Sequence, residues 1–315
     1  MPARPKNLAI YYGWINSFNS ATNQWNNEKV AQEFAKYDQV VFGDGVQDPE
    51  HGDYANTSVI IPRIKVLNPN CEIFGYVTIN QDLGAFQTKA SQWDDLSIDG
   101  IFLDEAGYDY GRTRDEFNTR VAYVKSQSSA SLCFANSWNI DHVIGVVNDS
   151  LYPNSTYNAD ENASLLTSDD YYLLESFAVN TDAYTGNNGY ASKTDWVARG
   201  EKSIARRATF GIKLASCGII GDSDTAGQTK FDFAYHSAIA YAFESNGTSD
   251  TSYGASSAKT KFWTRPNPSQ IGTLRGIPSV TADAGDADVY MRYGLKSRVI
   301  VDHSVGAQIS SIEIW

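Results

Sequence analysis

Residues 98–111 read Ile98-Asp-Gly-Ile-Phe-Leu-Asp-Glu105-Ala-Gly-Tyr-Asp-Tyr-Gly111, an apolar run closed by two carboxylates and followed at once by a Gly/Tyr turn. A run that is apolar without alternation belongs to a strand buried on both faces, as in a parallel sheet flanked by helices. Side chains alternate along a strand, so Gly100, Phe102 and Asp104 share one face and Ile101, Leu103 and Glu105 the other. Where the strand passes into loop, both acids can still reach its end. Thr113-Arg-Asp-Glu116 follows with capping-box form and starts a helix over 113–126. This is one βα unit with acid at its strand end.

The same texture recurs on either side. The apolar runs Leu8 to Tyr12, Gln39 to Phe42, Glu72 to Val77, Gly100 to Leu103, Ser131 to Ala135, Tyr171 to Leu174, Thr209 to Lys213 and Ala238 to Phe243 predict eight strands. Helices are predicted over 27–37, 58–67, 113–126, 193–207 and 230–237; in the first, Val30, Phe34 and Tyr37 stand at helical spacing. Eight strands alternating with helices in about 245 residues have the size of a (β/α)8 TIM barrel. A doubly wound sheet would also hold them, but no Gly-rich phosphate loop follows the first strand. The expected organisation is an α/β barrel catalytic domain over 1–254 and a short C-terminal β-rich extension over 255–315. In that extension 288–292, 297–301 and 308–314 have strand character. It is expected to pack on the barrel, with attachment or oligomerisation in a larger assembly as the alternative.

Composition excludes other classes. The 315 residues are 42% hydrophobic and 20% charged, enough for a full core. No apolar stretch approaches 18 residues, so membrane insertion is not expected. A net charge of −12 argues against nucleic acid as a partner. The N-terminal residues show no apolar segment of the signal-peptide kind. Cys71, Cys133 and Cys217 lie in or beside apolar runs and read as small core residues. The four histidines form no zinc-ligand spacing and no Gly-x-Ser-x-Gly elbow occurs, so neither metal nor cofactor is expected. Gly221-Asp-Ser-Asp224 and Asp283, Asp286 and Asp288 are oxygen-rich but lack EF-hand spacing and read as solvated turns.

In a parallel barrel the site lies at the C-terminal strand ends. The polar groups expected there are Tyr12 and Trp14, Asp44, Tyr76, Asp104 and Glu105, Asn136 and Trp138, Glu175, Lys213, and Glu244, with Tyr108 in the loop after the fourth strand. Carboxylates on the fourth and sixth strands stand two positions apart round the rim and can converge on one substrate. Paired carboxylates among Trp and Tyr suit glycosidic cleavage: one group protonates the leaving oxygen, the other attacks the anomeric carbon or activates water. Asp104 is expected as nucleophile or stabiliser and Glu175 as general acid/base, kept protonated by the potential of Asp104 and Glu105. Glu105 would tune the pair or exchange roles with Asp104. Tyr12, Trp14, Tyr76, Tyr108 and Trp138 are candidate sugar-stacking platforms, and Asn136 and Asn139 candidate hydroxyl partners. Each has a plainer reading beside it: an Asp at a strand end also caps helices, and Trp and Tyr also fill cores.

The residues GYV at 75–77, DGIFLDE at 99–105, FANSW at 134–138 and YLLE ending at Glu175 resemble the TIM-barrel glycoside hydrolases of the spherulin-4-like and endo-α-1,4-polygalactosaminidase-like group. The resemblance spans most of the first 250 residues, and its distinctive element is the Asp-Glu pair. It implies an endo-acting hydrolase of an aminosugar-containing exopolysaccharide or cell-surface glycan, with Asp104, Glu105 and Glu175 matching the group's acids. An extracellular or particle-associated setting follows from that substrate class. A barrel that grips glycan without cutting it, as a receptor-binding or tail-associated module, is the alternative.

Overall fold

The computed structural model describes residues 4–43, 45–146, 156–180, 189–220, 227–250, 281–283, 286–293, 297–304 and 308–314. Eight parallel strands close into a barrel in chain order: β1 (Lys6–Tyr11), β2 (Gln39–Phe42), β3 (Glu72–Thr78), β4 (Gly100–Asp104), β5 (Leu132–Asn136), β6 (Tyr171–Leu174), β7 (Lys213–Ile220) and β8 (Ser245–Asp250), which pairs back to β1. The outer layer holds a short α1 (Ser20–Asn23) and then α2 (Asn27–Phe34), α3 (Tyr54–Leu67), α4 (Leu83–Asp95), α5 (Arg114–Lys125), α6 (Lys193–Phe210) and α7 (Gly227–Ala240). The fold is a (β/α)8 barrel with a β-rich C-terminal extension.

Strand alternation divides the core in two. Leu8, Val41, Phe74, Phe102, Phe134, Tyr171, Leu173 and Ala215 fill the barrel interior. Ile101, Leu103, Cys133 and Ala135 face outward and share the larger core beneath the helices. The interior rings make edge contacts, with Phe134 5.3 Å from each of Phe74, Phe102 and Tyr171. Such a ring layer fills the centre and leaves open space only above and below it. Phe102→Ala would cost about 3–5 kcal/mol by leaving a void there. Because Asp104 shares the Phe102 face, its carboxylate tops the packed centre.

The first six strands fall where the sequence predicts them. The last two do not. Thr209 and Phe210 end α6, Gly211 at φ +78° turns the chain out of that helix, and Lys213 begins β7 instead of ending a strand. Residues 238–240 close the buried α7, and β8 is the polar run Ser245–Asp250. A short apolar run inside a buried helix cannot be told from a strand by periodicity. Gly after the last helical turn was the available stop signal. Helix α4, not predicted, carries Phe86, Ala90 and Trp93 on one buried face and is capped by Asp82, which accepts from the Ala85 N–H at 2.9 Å.

The extension is a four-stranded antiparallel sheet ordered β12-β11-β10-β9, formed by β9 (Thr281–Asp283), β10 (Asp286–Tyr293), β11 (Ser297–Asp302) and β12 (Ile309–Ile314). Val299 and Val301 join the main core. His303 packs on Trp196 of α6 at 4.6 Å, and His236 of α7 is hydrogen-bonded to Ser310 Oγ at 2.7 Å. Asp288 pairs with Lys193. The sheet lies against the last two helices of the barrel. Gly221 to Asp224 lie outside the described residues.

Candidate active site

The acidic strand ends meet over the barrel interior. Asp104 closes β4, in register with Thr78 of β3. Asn136 closes β5, in register with Leu173, two residues before Glu175. Strand β5 therefore stands between the two acids, and its side chain links them: Asn136 Nδ2 donates to Asp104 Oδ1 at 2.8 Å and to Glu175 Oε2 at 3.2 Å. A shared donor at 2.8 and 3.2 Å limits the separation of those oxygens to about 6 Å. Backbone turns present the groups. Glu105 has φ +55° and Ser176, just after Glu175, has φ +52°. Left-handed backbone in residues other than glycine is strained and clusters at functional sites. At Glu105 it breaks the strand alternation, so this acid also reaches the mouth, where Thr78 Oγ1 donates to Glu105 Oε2 at 2.6 Å.

Asp104, Glu105 and Glu175 line a cavity of about 350 Å³ with Tyr12, Asp109, Tyr110, Asn136, Trp138 and, at its wall, Cys217. The described lining holds four carboxylates and no lysine, arginine or histidine. The field they make is visible on Tyr110, whose pKa is raised first by burial and then by Glu105, Asp104, Asp109 and Glu175. Burial likewise raises the pKa of Asp104 above the usual aspartate value; hydrogen bonds from the Tyr76 hydroxyl, the Glu105 N–H and Asn136 oppose this, and the Glu105 charge adds to it. Asp104 is thus driven toward its neutral form in the free protein. Desolvation is the stronger cause because β4 seats Asp104 directly on the ring layer, whereas Glu175 is exposed.

The remaining predicted site residues divide. Tyr12 and Trp138 line the cavity, and Trp138 is 62% exposed with Arg199 stacked beneath its ring at 4.5 Å. Tyr76 is no free platform: it packs on Tyr12 at 5.2 Å and holds Asp104. Trp14 stands on the rim against His51, 5.3 Å away, outside the cavity lining. Asn139 caps the turn Ile140–His142. Tyr108 is buried, stacked on His142 at 4.4 Å and on Tyr157 at 5.2 Å, and anchors the loop after β4 from below. Its expected role as a platform is corrected on that ground. Lys213 and Glu244 are also corrected. Lys213 begins a strand and Glu244 precedes one, so both lie at the other end of the barrel. There Lys213 Nζ donates to the Asp169 carbonyl at 2.9 Å, and Glu244 accepts from the Leu214 N–H at 2.7 Å beside Arg207. Asp44 lies outside the described residues.

Asp109, Tyr110 and Arg199 were not predicted. The first two stand in the loop quoted at the outset, and the turn after an acidic strand end was signal enough. Arg199, in the middle of α6, carried none. Its guanidinium donates to the carbonyls of Glu175 at 2.6 Å and Ser176 at 3.3 Å while supporting Trp138.

No family model matches the chain, and no curated protein sequence does. Solved structures share its fold. Amy13B of Eubacterium rectale is 10% identical over 96% of this chain and 86% of its own, with a TM-score of 0.53. A family 5 glycoside hydrolase from Bacteroides vulgatus is 11% identical over 95% and 77%, with a TM-score of 0.52. The glycoside hydrolase domain of PelA from Pseudomonas aeruginosa is 12% identical over 78% and 94%, with a TM-score of 0.46. The chain also matches the carboxyl transferase domain of Rhizobium etli pyruvate carboxylase, spanning 42% of that chain. For Amy13B and the family 5 enzyme, at these identities, the likeness is one of fold.

Proposed function

We propose that the protein is a glycoside hydrolase that cuts within an aminosugar-containing polysaccharide. The observation that carries this reading is the pair Asp104 and Glu175, held by one Asn136 amide across an open cavity. The two facing oxygens stand within about 6 Å of each other, which accommodates the about 5–5.5 Å carboxyl separation of retaining glycosidases. Asp104 attacks the anomeric carbon as Glu175 gives its proton to the leaving oxygen. Glu175 then takes a proton from the water that displaces Asp104. Three donors fix Asp104 in place, as a nucleophile needs, whereas Glu175 is exposed and accepts from Asn136 alone among the hydrogen bonds resolved. Burial makes the Asp104 anion costly in the free protein, and that cost is relieved as the sugar gains positive charge, which favours the transition state over the ground state.

The charged residues among the described lining are all acidic, which supports an amine-bearing sugar whose ammonium would be drawn to Glu105 and Asp109. Exposed Trp138 offers a flat face to a neighbouring ring. The test is release of reducing ends from partially N-acetylated galactosamine and glucosamine polymers, with neutral glucans as controls. The reading expects cleavage of an amine-bearing polymer and a first-formed product that keeps the anomeric configuration. No cleavage of any of them, or inversion, would overturn it or its mechanism respectively.

A further inference from the structure

The loop between β1 and α2 displays an indole that neither the core nor the cavity uses. Trp25 is 59% exposed, yet its backbone sits at φ +58°, and Gln24 before it at φ +55°. Left-handed backbone is unfavourable for L residues, and a bulky ring is rarely placed there. A relay of amides holds the loop in this state. Asn16 Nδ2 donates to the Trp25 carbonyl at 3.0 Å and to Asn27 Oδ1. Asn27 Nδ2 donates to Asn56 Oδ1 at 3.1 Å, and Asn56 Nδ2 to Asp53 Oδ1 at 2.9 Å. The result of this strain and ordering is one solvent-facing tryptophan.

Trp25 borders a groove of about 730 Å³ between α2 and α3, lined also by Asn26, Asn56, Val59 and Val66. The Glu28–Arg63 pair, doubly bonded at 2.7 Å, adds no net charge to it. Both helices follow barrel strands, so their N-termini and Trp25 stand at the same end of the barrel as Asp104. We infer that this groove is a second binding site for pyranose rings of the polymer cut in the cavity; the identity of that polymer rests on the function proposed above. An indole face for sugar C–H groups, the Asn26 amide for a hydroxyl and a charge-neutral lining fit an uncharged stretch of polysaccharide better than a nucleotide or an acidic peptide. Continuity points the same way. Tyr12, which lines the cavity, and Asn16, which fixes Trp25, belong to the one connection that follows β1.

The experiment uses the full chain with Asp104→Asn, which keeps polymer intact, and measures binding to a partially N-acetylated galactosamine polymer. Trp25→Ala in that background is expected to weaken binding roughly tenfold and to reduce the polymer's quenching of tryptophan fluorescence to the part that Trp138 contributes. Trp25→Gly guards against misfolding, since glycine accepts the left-handed backbone; it is expected to raise the melting temperature while losing the same binding. Binding unchanged in both variants overturns the inference. So does a concentration-dependent dimer, seen by sedimentation, that Trp25→Ala abolishes, because the face would then serve a second copy. Polymer bound through Trp25 by an active-site-intact chain that releases no reducing ends supports the groove and overturns the hydrolase reading. Cleavage by the parent together with undiminished binding by the Trp25 variants does the reverse.

Discussion

Asp104 and Glu72 stand on the same inner face of the barrel wall, one at the end of β4 and the other at the start of β3, with the ring layer between them. Burial pushes the pKa of Glu72 up, but Lys6 Nζ at 2.8 Å, Gln39 Nε2 at 2.6 Å and the Tyr171 hydroxyl at 2.8 Å outweigh it, and the net shift is downward. Asp104 has donors too, yet the described residues of the cavity lining include no cation, and its net shift is upward. The lower end plugs the barrel and spends a charge on stability, while the upper end keeps an anion that the fold does not favour. A carboxylate in a cavity whose pKa burial raises against its hydrogen bonds is the pattern expected of a candidate functional site.

The contrast is open to attack from its strongest consequence down. Asp104→Asn and Glu175→Gln are each expected to lower the rate of reducing-end release by about 10³-fold or more with circular dichroism unchanged. If both retain full activity, the site assignment is wrong. Asn136→Ala, which removes the common donor, is expected to cost about 10²-fold in kcat/KM. At the lower end the readout reverses. Glu72→Gln is expected to destabilise by about 1–3 kcal/mol in urea while activity per folded molecule is kept.

The pH dependence of stability separates the two ends further. Glu72, with a lowered folded-state pKa, stabilises above its unfolded value, and that contribution is lost as acid takes pH down through the folded value. Asp104, with a raised one, opposes folding once pH exceeds the unfolded aspartate value. Asp104→Asn should therefore melt at or above the parent at pH 7, with the difference closing toward pH 4; a lower melting temperature at pH 7 would contradict the desolvation argument. The smallest effect is expected at Lys213, where Ala should change activity less than about twofold, because its ammonium faces the lower end.

The acidic strand end at 98–105 was legible because an aspartate and a glutamate closing an apolar run have few uses inside a protein. Lys213 and Glu244 were misplaced for a single reason. Taking the end of one helix and its following turn as a strand moves the next polar residue from the start of a strand to its finish, and so from one end of the barrel to the other. Strand β8, Ser-Asn-Gly-Thr-Ser-Asp over 245–250, has no apolar signature, since neighbouring β1 and β7 and barrel closure provide its pairing. Tyr108 looked like Trp138 in the sequence. One is buried beneath the loop and the other stands free, and only contacts distant in sequence, His142 and Tyr157 for the first and Arg199 for the second, separate them.

The sequence by itself determined that apolar runs alternate with helices, that acids close the fourth and sixth of those runs, and that Asp104 shares a face with Phe102. These follow from periodicity, which is local chemistry. Tertiary structure alone decided that Asn136 ties Asp104 to Glu175, that Arg199 supports both Glu175 and Trp138, and that Asp104 carries the raised pKa. Closure of the barrel brings side chains from different strands within hydrogen-bond reach and sets how much water each keeps, and neither quantity is written in any single stretch of chain.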